Sequence, residues 1–188
     1  MKLRTAVIGV GHLGRFHAQK HKMIEDVELV GVCDTFKDQA EKIAREMGVA
    51  AFHDPKDLIG KVDAVTVAAS TPAHFELVKM FLENKVHVLV EKPISCTSQE
   101  AEALCLIAEK HGLKLQVGHV ERFNPGLQAA REKIKKPLFI ECHRLAPFKV
   151  RSAEVDVVLD LMIHDLDVIL SMVGSEPVSV SAVGTPVL

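Results

Sequence analysis

Apolar residues fall along this chain in short β-branched runs, separated by stretches in which they recur every three or four positions. Leu3 to Val10 is the first run, bounded by glycine, and it reads as a buried parallel strand. The spacing then predicts a helix over Leu13 to Met23, a strand over Val27 to Cys33, and a helix over Phe36 to Met47 closed by Gly48. Ala64 to Ala69 is a third clear strand, and Ser70-Thr71-Pro72 leads from it into a helix ending near Glu83. Val86 to Val90 is a strand that stops at Glu91-Lys92-Pro93. Thr97 and Glu100 stand three apart, as in a capping box, and open a helix that reaches His111 and stops at Gly112. Leu115 to Val117 is another short strand. Strands alternating with helices predict an α/β fold, a parallel sheet with helices on both faces.

The pattern changes after Val120. Asn124-Pro125-Gly126 begins a helix reaching about Ile134, Leu138 to Leu145 reads as a strand, Asp156 to Val173 as a long apolar helix stopped by Gly174, and Val178 to Val183 as a last strand. The domain boundary is expected near residue 120, giving 1–120 and 121–188. Two strands and two helices are thin for an independent core, so the second region is expected to be the incomplete start of an α/β domain. Its long helix, apolar around most of its circumference, needs cover on several sides. The expectation is exposed apolar surface, an unpaired strand edge and self-association.

Composition narrows the classes. The chain has 188 residues, of which 48% are apolar and 26% charged, enough for a folded core. A formal net charge of −2 argues against nucleic acid or an anionic membrane as the main partner. No apolar run approaches the roughly 20 residues of a membrane-spanning helix. Met1-Lys2-Leu3-Arg4 passes directly into a strand pattern, so a cytoplasmic protein is expected. Cys33, Cys96, Cys105 and Cys142 show no C-x-x-C spacing and lie among apolar or small neighbours. They are expected to be buried, reduced thiols.

Gly9-Val10-Gly11-His12-Leu13-Gly14 is a G-x-G-x-x-G run that follows a strand and opens a helix. That context is the dinucleotide fingerprint of a Rossmann doubly wound parallel sheet. Gly9 would make the tight turn, Gly11 would admit the pyrophosphate, and Gly14 would let helix and strand pack closely. Helix N-terminal N–H groups favour the anionic pyrophosphate. Asp34 ends the second strand twenty residues after Gly14. It can accept hydrogen bonds from the adenosine ribose and would repel a 2′-phosphate, so NAD is expected in preference to NADP. A plain turn with a helix-capping Asp, and a methyltransferase using S-adenosylmethionine, share these features. The later motifs do not fit the methyltransferase.

Lys92 lies at the carboxyl end of a strand, the edge where open α/β sheets bind ligands. A lysine there can bond a substrate hydroxyl, and a positive nicotinamide ring nearby would make it a better proton acceptor. A surface lysine is the plain alternative. Asp160 and His164 stand four apart on a predicted helix, with Asp167 and Ser171 continuing the stripe. A solvated face would also explain them, but the helix carries no Lys, Arg or Glu. A carboxylate beside an imidazole suits a proton shuttle. His17 and His21 also stand four apart, but Gln19, Lys20 and Lys22 suggest an exposed face, and no metal site is expected. Thr71, Pro72 and His74 follow the third strand at the ligand edge, where a turn and helix cap would explain them equally well.

These motifs in this order resemble the glucose–fructose oxidoreductase / inositol dehydrogenase family, Gfo/Idh/MocA. The resemblance rests on the glycine run, Thr71-Pro72 with His74, Glu91-Lys92-Pro93, and Asp160 with His164. It implies an NAD(P)-binding Rossmann domain and a C-terminal α/β domain whose open sheet usually makes a homo-oligomer. It implies a cofactor site drawn from Gly9, Gly11, His12, Leu13, Gly14, Asp34, Thr71, Pro72, His74 and Glu91. Lys92, Asp160 and His164 match the catalytic lysine, aspartate and histidine. Lysine and histidine would manage the hydroxyl proton, with Asp160 holding the histidine. The stretches from His119 to Pro125 and from His143 to Phe148 resemble a narrower group that oxidises the 3-hydroxyl of UDP-N-acetylglucosamine. There Arg122, Asn124 and Arg144, with Lys149 and Arg151, would face the substrate and its diphosphate, although surface charge explains the basic residues too. Family members are usually longer, which implies a truncated second domain here. The competing activities are an NAD-dependent glycosidase acting through transient 3-oxidation and a non-catalytic NAD-binding regulator.

Overall fold

Alternation along β1 (Leu3–Ile8) decides which face each side chain takes. Ala6 and Ile8 join one buried cluster with Val65, Val67, Phe81 and Leu82, whereas Val7 joins Val10, Ala18, Val32 and Ile43 in another. A period of two sends neighbours to opposite faces, and a parallel strand is stable only when both are covered. The computed structural model describes residues 1–145, 147 and 155–185. Within them β1, β2 (Val27–Cys33), β3 (Ala50–Phe52), β4 (Ala64–Val67), β5 (His87–Val90) and β6 (Leu115–Val117) form one sheet in the order β3-β2-β1-β4-β5-β6. Every pairing is parallel. Helices α1 (His12–Met23) and α2 (Lys37–Met47) supply Ala18, Ile43, Ala44 and Met47 to one cluster. Helices α3 (Thr71–Glu83) and α4 (Ser98–Lys110) supply Val78, Phe81, Leu82, Leu104 and Ala108 to the other. The α/β Rossmann architecture read from the alternation is therefore present. Strand order reverses between β1 and β4, which opens a crevice at their carboxyl ends.

The docking of α1 is closer than apolar packing alone would allow. A Cβ on Gly14 would lie 1.8 Å from the Gly9 carbonyl oxygen. One turn on, Ala18 is fully buried, and the His21 ring lies between two strand hydroxyls. Its Nδ1 is 2.9 Å from Thr5 Oγ1 and its Nε2 is 3.1 Å from Thr66 Oγ1. Gly14, His17, Ala18 and His21 form one i, i+3, i+4, i+7 stripe, so the histidine face expected to be exposed is the docked face. Lys20 and Lys22 flank that stripe. Burial, with a smaller repulsion from His17, pushes the His21 imidazole down to about 4.

Other expectations need correction. The three-residue edge strand β3 was too short to register as a periodic pattern. Only Cys33 is buried; Cys96, Cys105 and Cys142 are exposed. Apolar sequence neighbours misled here, because Cys105 falls on the outer side of α4 and Cys142 on irregular backbone. The capping box holds, with Thr97 Oγ1 accepting from Glu100 N and Glu100 Oε2 accepting from Thr97 N.

The chain divides into two units. The first is Met1–Gly118 with the described part of Phe148–Asp160, and the second is the described part of His119–Pro147 and Leu161–Leu188. The second unit holds a 3-10 turn at Val120–Phe123, α5 (Pro125–Lys133) and α6 (Ile163–Val173). The long helix expected over Asp156 to Val173 is instead a π-helical turn, Val158–Met162, leading into α6. The strands expected over Leu138 to Leu145 and Val178 to Val183 do not form; the described residues there are irregular. Among the described residues neither segment finds a partner to complete a hydrogen-bond ladder, and short strands are not stable alone. Leu138, Phe139, Val178 and Val183 are each more than four-fifths exposed. Among the described residues, no helix is long and apolar enough to cross a membrane.

Two outcomes follow from the α1 contact. Gly14→Ala forces helix and strand apart and lowers unfolding free energy by about 3 kcal/mol, read from urea denaturation. His21 is held below its ordinary 6.5, so the unfolded chain takes up its proton more readily. Its contribution is complete above about 6.5 and is lost as pH falls toward about 4. The urea midpoint therefore drops across that window, and His21→Gln shows a shallower drop.

Candidate cofactor and catalytic site

The crevice begins where β1 ends. Gly9 has φ 79°, and a Cβ there would lie 2.6 Å from backbone atoms of Ala69, beyond the end of β4. Glycine lets the two strand ends approach to that distance. Gly11 is different: a Cβ on it would meet nothing within 4 Å. It caps α1 with no side-chain bond to the first-turn amides, so those donors face an open approach. His12 and Leu13 lie exposed on the same turn. An open glycine and an uncapped, anion-favouring helix N-terminus are what a pyrophosphate requires.

Asp34 follows β2 and serves this loop directly. One carboxylate oxygen accepts from Val10 N at 2.9 Å and the other from Phe36 N at 2.9 Å. Each oxygen keeps a further lone pair, so ribose hydroxyls can be accepted without releasing the loop. Gln39 adds a bond from Nε2 to the Val10 carbonyl at 2.6 Å. No sequence signal marked Gln39, because its role depends on α2 folding back beside the loop. The residues present fit a dinucleotide.

Across the crevice, Thr71 and Pro72 start α3, where proline's missing N–H would have had no helical partner. His74 is buried, unlike a residue presented at the ligand edge. Its Nδ1 is 2.8 Å from the Pro93 carbonyl oxygen and its Nε2 is 3.0 Å from that of Ala69. The ring ties the end of β4 to the turn that carries Lys92. Glu91 is buried too, with Oε1 2.6 Å from His17 Nε2 and Oε2 accepting from Lys92 N at 3.3 Å.

Lys92 and Asp160 meet within the first unit. Lys92 Nζ donates to the Asp160 carbonyl at 2.7 Å and to its carboxylate at 3.3 Å. Both side chains are largely shielded, at 15% and 26% exposure, which strengthens the attraction. His164 lies half-buried on α6 in the second unit.

The residues expected to face substrate are engaged inside the second unit. Arg122 donates through Nε and Nη2 to both Asp167 oxygens at 2.6 and 2.5 Å. Arg144 holds Asp165 in the same forked way at 2.8 and 2.7 Å. The Arg144 bonds pull Asp165 below the usual carboxylate range. For Asp167, burial opposes ionisation, but Arg122 and His119 outweigh it and the shift is also downward. Asn124 caps α5 through Oδ1, which accepts from Gly126 N at 2.9 Å. Lys149 and Arg151 lie outside the described residues. Among the described residues, no cluster of three or more His, Cys, Asp or Glu side chains could hold a metal ion.

Comparison with known proteins agrees with this geometry. Residues 3–119 match the family model for the GFO_IDH_MocA oxidoreductases, NAD-binding Rossmann fold. UDP-N-acetylglucosamine 3-dehydrogenase of Acidithiobacillus ferrooxidans is 45% identical over 183 residues, which cover 97% of this chain and 58% of that protein. The solved structure of UDP-N-acetylglucosamine 3-dehydrogenase GnnA from Acidithiobacillus ferrooxidans superposes with a TM-score of 0.87 at 43% identity, covering 98% of this chain and 62% of that one. The scyllo-inositol 2-dehydrogenase (NAD(+)) of Bacillus subtilis is 30% identical, over 97% of this chain and 57% of that protein. The chain thus spans rather more than half the length of the curated relatives it matches. It belongs to the Gfo/Idh/MocA oxidoreductase family, and residues 3–119 are its NAD-binding Rossmann domain.

Proposed function

We propose that this protein oxidises a secondary hydroxyl of a nucleotide sugar, the 3-hydroxyl of UDP-N-acetylglucosamine, to the ketone. The observation that carries this is the Lys92 amine, held by Asp160 at the carboxyl edge of a sheet whose glycine turn fits a dinucleotide. Support for the substrate comes from the relative at 45% identity, which is named for that reaction. NAD, when bound, supplies the hydride acceptor. Gly11 admits its pyrophosphate to the first-turn amides of α1, and Asp34 takes the adenosine ribose while its charge disfavours a 2′-phosphate. Lys92 takes the proton of the reacting hydroxyl, and Asp160 keeps the amine aimed. For His164, on the second unit, the family resemblance implies a role in proton handling. Arg122 and Arg144 shape the substrate side by fixing Asp167 and Asp165.

In this reading, residues 1–120 carry the cofactor and 121–188 contribute to the substrate side. The exposed Leu138, Phe139, Val178 and Val183 support association between copies.

Equilibrium binding is expected to show NADH ahead of NADPH. Asp34→Asn, which keeps an acceptor but removes the charge, narrows that gap; equal affinities in the unaltered protein would refute the ribose assignment. Lys92→Ala leaves NADH affinity nearly unchanged and lowers turnover of UDP-N-acetylglucosamine with NAD by about a hundredfold or more. Near-normal turnover in that variant would remove Lys92 from the mechanism.

A further inference from the structure

His17 lies on the inner stripe of α1, less than one turn beyond Gly14. Its Nε2 stands 2.6 Å from Oε1 of Glu91, a side chain only 9% exposed, while the imidazole itself is 19% exposed. The other carboxylate oxygen of Glu91 accepts the backbone N–H of Lys92. Gly118 lies on the far side, where the Cβ of any other residue would sit 3.1 Å from the carboxylate, so glycine there makes room for Glu91 to take this place. A continuous path therefore runs from α1 through His17 and Glu91 to the backbone of Lys92. At its far end Lys92 Nζ reaches Asp160.

Stability alone is a weak reason for such a pair. Desolvating a carboxylate and an imidazole costs free energy that their attraction only partly offsets, and apolar replacements of buried ion pairs are often neutral or better. What the pair supplies is direction. A carboxylate gripped on one oxygen presents the other at a fixed place, and here that place is the amide of Lys92. Catalytic groups displaced by about 1 Å lose much of their effect, so a device that sets the start of the lysine side chain has functional value.

We propose that His17 is a positioning residue for Lys92, acting through the Glu91 carboxylate and linking the cofactor helix to the proton-transferring amine. This rests on the reading of Lys92 given above. His17→Leu removes the donor, and His17→Gln restores an N–H close to the place of Nε2. Glu91→Gln keeps the shape and removes the charge, in case the leucine variant fails to fold.

The test is competitive acetylation of the intact protein with acetic anhydride, read peptide by peptide by mass spectrometry. Lys92 acetylation is expected to rise about threefold or more in His17→Leu and Glu91→Gln, as befits loss of a charge-assisted bond felt at one remove. In His17→Gln it stays near the unaltered value. Lys61, which lies over the Phe52 ring on the other side of the sheet order, serves as internal control and does not change. Equal labelling of Lys92 in folded His17→Leu or Glu91→Gln protein overturns the proposal, as does a matching rise at Lys61. Turnover separates the two readings. If Lys92 labelling responds to His17 but no nucleotide sugar reduces NAD, the dehydrogenase reading fails and the positioning role stands. If the sugar is oxidised equally fast in His17→Leu, the positioning role fails and the dehydrogenase reading stands.

Discussion

The contact on which the rest depends is that of Gly14 against the Gly9 carbonyl. A Cβ at Gly14 would lie 1.8 Å from that oxygen, so α1 can take its place only because no side chain intervenes. With the helix held this close, its uncapped N-terminus points into the crevice between β1 and β4, and its inner stripe reaches three strands. His21 meets hydroxyls on β1 and β4, and His17 reaches the residue after β5. One absence of a methyl group therefore sets both the anion site and the polar supports beneath the lysine turn.

Those supports give the site a common design. Lys92 sits between two anchored neighbours: Glu91, held by His17, and Pro93, whose carbonyl meets His74. The same His74 ring meets the Ala69 carbonyl beside Gly9. Buried polar groups that find partners stiffen what they join, whereas the same groups left unpaired would cost more than an apolar core. The crevice walls are thus made rigid by histidines that do not themselves face the open side.

The sheet, its order of elements and the glycine loop were legible because they rest on local pattern. Continuous β-branched apolar runs marked β2 at its observed bounds and β1 from its first residue, though β1 ends at Ile8 and not at Val10, and the Thr97–Glu100 spacing announced the start of α4. What escaped depends on which residues meet across the chain. Lys20 and Lys22 made α1 look solvated around His17 and His21, yet a helix turning 100° per residue places those lysines beside the docked stripe, not on it. His74 and Glu91 were expected at the ligand edge from their positions in the motifs; the folded chain turns both inward. Leu138 to Leu145 has the apolar content of a strand, but a strand exists only through a partner, and none of the described residues supplies one. Arg122 and Arg144 could be read as basic residues awaiting a diphosphate, since Asp167 and Asp165 are 45 and 21 positions away in sequence.

The central claim is that the glycine loop holds a dinucleotide over Gly11, with fold and binding separable at that position. Isothermal titration of NADH into Gly11→Ala, beside its urea denaturation curve, tests it most directly. A Cβ there meets no protein atom, so the urea midpoint should stay at the unaltered value. It occupies the approach to the α1 amides, so NADH affinity should fall about tenfold or more, a loss of roughly 1.4 kcal/mol. A folded Gly11→Ala protein that binds NADH as tightly as the unaltered chain would contradict the account.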